Sequence, residues 1–174
     1  ATPTRLQRDG QAEWFEDLQQ KAFAIADEAR QELGYPAEQV QIAGCLSPLV
    51  GSYTADERTF SELKQEYQQI VAAQAPRVDL FLIETISVIR EAQAAVEAAQ
   101  DSSLPVLLSF TLSDEEAGKL RSGEPIADAV TALAGYNFSG LLFNCSYPES
   151  ITEGLKQLAG LAIPYGGYAN GFTS

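Results

Sequence analysis

The side chains able to do chemistry fall at the ends of apolar runs: Glu84 and Thr85, Ser109, Asn144 and Cys145, and Asn170, with Cys45 inside a further run of the same kind. A carboxylate can hold an ammonium group or move a proton. A thiol can attack an electrophile or bind a soft metal, and hydroxyls and carboxamides orient either one. The chain contains no histidine. That excludes Ser-His-Asp and Cys-His nucleophile systems and every His-based zinc helix. Acid–base work falls to carboxylates or tyrosines, and a soft-metal site must draw on Cys45 or Cys145, the only cysteines.

Each of these residues also has a plainer role open to it. An acid that ends a strand can cap the next helix, which is one reading of Glu84. Cys145 reads equally as a buried, inert thiol. Cys45, preceded by Gly44 and followed by Ser47-Pro48, reads as packing. Asn170 precedes Gly171 and suits a turn. Glu57, Glu115 and Glu116 read as ordinary solvated acids.

The elements that must position these groups follow from periodicity. Ala1 to Thr4 reads as a loop. From Asp9 the apolar residues Phe15, Leu18, Ala22, Ile25, Ala29 and Leu33 recur three or four apart, which predicts one long amphipathic helix closed by Gly34 and Pro36. Strands are predicted over 40–46, 78–85, 105–111, 138–145 and 164–170. The second of these has a continuous apolar core, as in a strand buried on both faces of a parallel sheet, and ends near Glu84. Helices fill the intervals: Phe60, Leu63, Tyr67 and Ile70 share one face, Thr59 and Glu62 have capping-box spacing, and Pro125 and Pro148 each open a helix. Strict alternation of strand and helix means a parallel sheet with right-handed crossovers. An open doubly wound sheet and part of a (β/α)8 barrel both fit. No glycine-rich phosphate loop follows any strand, which weighs against a dinucleotide-binding sheet. In either architecture the site forms at the C-terminal ends of several strands, where the polar residues lie.

Composition narrows the class further. The 174 residues suit one domain, with 45% hydrophobic and 20% charged side chains. Acidic residues number 24 and basic ones 11, a net charge of −13. Such a surface opposes a phosphate backbone, so no nucleic-acid partner is expected. No apolar run approaches the ~20 residues of a membrane span, so no membrane partner is expected either. No basic segment followed by an apolar one opens the chain, and two distant cysteines make no disulfide framework; a cytoplasmic location with free thiols is expected. Methionine is absent, even at position 1, so the sequence is expected to be processed or an excerpt.

Several segments, in order, resemble the homocysteine S-methyltransferase family. They are Val40-Gln-Ile-Ala-Gly-Cys-Leu-Ser-Pro-Leu-Val-Gly-Ser-Tyr53, Asp79-Leu-Phe-Leu-Ile-Glu-Thr85, Leu120-Arg-Ser-Gly-Glu-Pro125, Leu142-Phe-Asn-Cys-Ser146 and Gly167-Tyr-Ala-Asn-Gly171. The resemblance implies a (β/α)8 TIM barrel, with residues 1–174 as the central part of a single homocysteine-binding domain, strands three to seven. It implies zinc-dependent transfer of a methyl group from a methylated sulfonium donor, S-methylmethionine or similar, to the thiol of homocysteine, forming methionine. Zn²⁺ in this family is held by three cysteines; Cys145 matches the first, and the later Gly-Gly-Cys-Cys pair would lie beyond Ser174. Glu84 matches the strand-end glutamate that binds the homocysteine ammonium, and Asn144 would support the substrate and metal loop. No general acid or base is then needed, so a site without histidine is workable.

Two further readings stay open. A degenerate or non-catalytic barrel domain would bind an amino acid without turning it over, and an open sheet of five strands would be a small-molecule binding protein. Unpaired edges on the sheet also invite self-association.

Overall fold

Each strand of this chain is a short β-rich run stopped by a polar residue, and each is followed by a helix with a signal at its start. In a computed structural model that describes residues 1–171, five such strands form one sheet: β1 (Ala43–Leu46), β2 (Leu80–Ile86), β3 (Val106–Phe110), β4 (Gly140–Asn144) and β5 (Tyr165–Tyr168). Their order in space is their order in sequence, and every neighbouring pair is parallel. A doubly wound sheet reverses its strand order at a switch point. This sheet never does. Sequential right-handed crossovers keep the connecting helices on one face, so the sheet is an arc of a (β/α)8 barrel.

The helices are α1 (Pro3–Arg8), α2 (Phe15–Glu32, entered through a 3-10 turn at Ala12–Trp14), α3 (Phe60–Gln74), α4 (Ile89–Gln100), α5 (Ile126–Ala132) and α6 (Pro148–Gln157). The capping box of α3 forms as its spacing predicts: Thr59 Oγ1 accepts from the Glu62 amide while the Glu62 carboxylate accepts from the Thr59 amide. In the helix-facing layer, Leu46, Phe81, Ile83, Leu108, Phe110 and Phe143 are fully or almost fully buried. The alanines of α4 (Ala92, Ala94, Ala95, Ala98 and Ala99) have no exposed surface, and their small size lets that helix lie close to its neighbours.

Two expectations are corrected, and one helix lies less covered than its stripe suggests. Residues 1–4 are not all loop: Thr2 caps α1 by accepting from the Arg5 amide, with Pro3 in the first turn. The long helix forms as α2 and ends before Gly34 as expected, but its apolar stripe is left uncovered, since the helix has no buried residue and Ile25 is 69% exposed. Periodicity records which residues share a face, not whether a neighbour covers it. Finally, β2 is not buried on both sides. Its residues alternate between buried and half-buried because only one face carries helices, leaving Leu82, Leu107 and Leu142 half-buried on the concave side. Strands β1 and β5 each pair on one side only among the described residues. None of the described helices is long and apolar enough to cross a membrane.

Candidate active site

The polar residues gather where the topology puts them, at the C-terminal rim of the concave face. Strand β2 runs on past Glu84 to Ile86, through a register shift against β3. Within it, Thr85 adopts φ +62, and at the end of β4 Cys145 adopts φ +51. A β-branched residue in the left-handed region is strained by on the order of 1–3 kcal/mol, and bulges of this kind re-aim side chains beside functional sites.

Asn144 makes these two strained residues one unit. It has no exposed surface. Its Oδ1 accepts from the Thr85 amide at 2.9 Å and from Ser109 Oγ at 2.7 Å. Its Nδ2 donates to Thr85 Oγ1 at 2.8 Å and to Cys145 Sγ at 3.2 Å. Thr85 Oγ1 in turn donates to Cys145 Sγ at 3.5 Å. The Cys145 thiol is half-buried and acts as an acceptor, with Tyr53 also hydrogen-bonded to it. Burial and the neighbouring Cys145 sulfur push the Tyr53 hydroxyl above its ordinary pKa. Ser109, read from sequence only as a polar strand end, belongs to this network.

Glu84, half-buried, takes no part in capping a helix. The N-cap of α4 is Val88, with no side-chain cap, and the Ile89 amide is satisfied by Glu124 Oε2 at 3.0 Å. Instead Glu84 Oε1 accepts from the Cys45 thiol at 3.1 Å and Oε2 from the Tyr168 hydroxyl at 3.0 Å. Cys45 is exposed as a residue, yet burial of its sulfur and the Glu84 carboxylate push its thiol up to about 12, so it stays a neutral donor. Burial and Glu84 likewise raise the Tyr168 hydroxyl. Cys45 is thus more than packing. Asn170 donates its amide to Ser146 O at 3.0 Å.

Sequence reasoning passed over Tyr53 and Tyr168 as individuals, although both stand in the quoted motifs. It also missed Arg121, whose guanidinium lies 5.0 Å from the centroid of the Tyr53 ring. Tyrosines and arginines at loop ends carry no periodic signal; their proximity to a polar strand end in space is what marks them.

A carboxylate, a thiol and oriented hydroxyls on one rim can hold an amine and a sulfur together. Metal binding needs more. Among the described residues no group of three or more His, Cys, Asp or Glu side chains could hold a metal ion. Cys145 offers one thiolate where a zinc centre takes three or four protein ligands, so the described residues do not by themselves compose one.

An arc of parallel βα units with its polar groups at the C-terminal rim defines the (β/α)-barrel class. Within it, the homocysteine S-methyltransferase family model matches residues 1–174, and the chain belongs to that family. Among solved structures it is similar to the homocysteine methyltransferase MmuM from Escherichia coli. The metallated form matches with TM-score 0.81 and 26% identity over 99% of this chain and 64% of that one. The apo form matches with TM-score 0.75 and 28% identity, over 90% and 60%. The oxidized form, at 22% identity and TM-score 0.79, supports the fold alone. This chain thus spans about two thirds of the length of these relatives or less in the first two cases. No curated protein matches.

Proposed function

We propose that the rim holding Glu84 and Cys145 binds homocysteine, and that the protein transfers a methyl group to its sulfur. The observation that carries this is the hydrogen bond between Cys145 and Thr85, the chain neighbour of Glu84, which puts a thiol and a carboxylate at one strand-end rim. Glu84 receives the substrate ammonium by charge-assisted hydrogen bonds. Asn144, being buried, acts as a positioning residue that holds Thr85 and Cys145. In the transfer the homocysteine sulfur attacks the methyl carbon of a sulfonium donor and loses its proton to solvent. The carbon–sulfonium bond breaks, its electron pair returns to the donor sulfur, and methionine and a neutral thioether result.

Zn²⁺ is the cofactor the family resemblance implies, and it would supply thiol activation. Cys145 would give one of its sulfurs, with the other ligands coming from outside the described residues. Residues 1–174 are then strands three to seven of the barrel, acting in the cytoplasm, and the one-sided edges of β1 and β5 are where further strands or a second copy would pair. A second reading is an amino-acid-binding barrel domain without turnover, supported by Glu84, which is held from two sides and can receive an ammonium group with no metal.

Calorimetric titration with L-homocysteine tests the binding claim. Saturable binding that Glu84→Gln weakens by about tenfold or more supports it. Equal affinity in the two proteins overturns it.

A further inference from the structure

The loop that leaves β1 has no regular structure, yet side chains from other elements hold its backbone at successive residues. Ser47 O accepts from the Tyr67 hydroxyl at 3.1 Å and Pro48 O from Arg5 Nη2 at 2.8 Å. Leu49 O accepts from Thr2 Oγ1 at 2.8 Å and Val50 O from Arg8 Nη1 at 3.5 Å. Thr2, Arg5 and Arg8 recur every three residues, so one face of α1 lies along the loop. Pro48 has no N–H to satisfy. The Leu49 amide donates to Glu91 Oε1 at 3.0 Å.

Glu91 is a costly acceptor for that amide. It sits on α4 among buried alanines, with no exposed surface, and its Oε2 has no partner. A buried carboxyl carries a desolvation cost that an apolar side chain in its place would not. What it supplies is a partner for a buried N–H that water does not reach. The same Oε1 lies 3.0 Å from the Tyr67 hydroxyl, so one atom ties α3, α4 and the loop together. The Leu49 side chain is itself fully buried.

This grip bears on the rim because the loop ends at Tyr53. That residue adopts φ +63, a conformation that surrounding contacts must enforce in a residue other than glycine. Its hydroxyl is hydrogen-bonded to Cys145 and Asn170, and its ring lies against the Arg121 guanidinium. Only Val50, Gly51 and Ser52 separate it from Leu49. A displacement at Leu49 is therefore passed to Tyr53 along a short stretch of chain.

We propose that Glu91 is a positioning residue of the thiol rim: by holding the Leu49 amide it sets the loop that lays Tyr53 against Cys145. It acts through Tyr53, from inside the core. The inference rests on the proposed role of Cys145 in the rim, and adds to it a residue that no strand end singles out.

The test is fluorine NMR of the protein carrying fluorotyrosine, without ligand, with the Tyr53 resonance assigned by its loss in Tyr53→Phe. Cys145→Ala is expected to shift that resonance, since it removes the sulfur that Tyr53 contacts. Glu91→Leu is expected to move it toward the position of free fluorotyrosine. Glu91→Gln keeps an acceptor for the Leu49 amide and should leave it in place. Tyr67→Phe keeps the ring and loses only the hydroxyl, so it should move Tyr53 in the same direction even where Glu91→Leu does not fold. Leu133→Ala, a buried truncation at the end of α5, should lower stability without moving the resonance. The inference is overturned by a Tyr53 resonance that stays in place in Cys145→Ala, in folded Glu91→Leu or in Tyr67→Phe. It is equally overturned if Leu133→Ala or Glu91→Gln moves the resonance as far as Glu91→Leu does. No substrate is present, so a failed homocysteine titration would overturn the function of the rim and leave these outcomes standing.

Discussion

Tyr168 and Glu84 stand 84 residues apart on strands that are not neighbours, yet the Tyr168 hydroxyl donates to Glu84 Oε2 at 3.0 Å. The bond crosses the concave face from β5 to β2, over the strands between. With Cys45 donating to the other oxygen, both edge strands of the sheet hold one carboxylate. A carboxylate held from two sides is preorganised for a cation and needs little rearrangement to bind it. Tyr168→Phe removes one of these donors at a half-exposed position. A stability loss of about 1 kcal/mol is expected, together with weaker homocysteine binding. Urea unfolding and calorimetry measure the two effects, and an unchanged affinity would mean that Tyr168 does not hold Glu84 for the ligand.

Asn144 is expected to matter more for folding. Its amide is fully buried and bonded to Thr85, Ser109 and Cys145. Asn144→Ala leaves those groups unpaired inside the protein, and a loss of roughly 3 kcal/mol is expected. The check is the urea midpoint at constant slope, and a loss below about 1 kcal/mol would contradict the bracket described for this residue.

The two cysteines should react differently. With its thiol pushed up to about 12, Cys45 is a thiolate in about one molecule in ten thousand at pH 8. Iodoacetamide at that pH is expected to label Cys145 and spare Cys45, as read by peptide mass spectrometry. Substituting Glu84→Gln removes the neighbouring carboxylate and should speed labelling of Cys45. Labelling of Cys45 first in the unmutated protein contradicts the assignment.

Stability should also carry a signature of Glu91, which has no exposed surface and one oxygen, Oε2, without a partner. Burial raises its pKa above 4.5, partly offset by hydrogen bonds from the Leu49 amide and the Tyr67 hydroxyl. The folded chain then keeps a proton that the unfolded chain releases, so this residue's contribution is intact below about pH 4.5 and is lost as pH rises through the folded value. Nearby Asp56 acts oppositely. Burial raises it but Arg58 outweighs that and lowers it, so its contribution is lost as pH falls. Glu91→Gln cannot titrate and isolates the first effect. Its stability relative to the unmutated protein should rise from about pH 4.5 upward, and a difference that stays constant to about pH 8 would contradict the buried-acid account.

What the sequence disclosed follows from range. The capping box at Thr59 and Glu62, the five apolar runs and their alternation with helices are local patterns, and all appear in the fold. The barrel was legible from the family-like segments, and the sheet order bears it out; strand–helix alternation alone admits a doubly wound sheet as well. The exposed stripe of α2 was hidden because amphipathicity does not say what covers a face. Glu84 was legible as a strand-end acid, but its grip by Cys45 and Tyr168 was not, because those contacts join strands far apart in sequence. Thr2 was misread for a smaller reason: a threonine before a proline serves a loop and an N-cap equally well.

If Glu84 and Cys145 face one amino-acid ligand, that ligand must protect Cys145 from alkylation. L-Methionine, the thiol-free product, is the probe, because it cannot consume the reagent. Saturating methionine is expected to slow iodoacetamide labelling of Cys145 by about tenfold, and Glu84→Gln to abolish the protection. Labelling of Cys145 at the same rate with and without methionine, or protection that survives intact in Glu84→Gln, would contradict it.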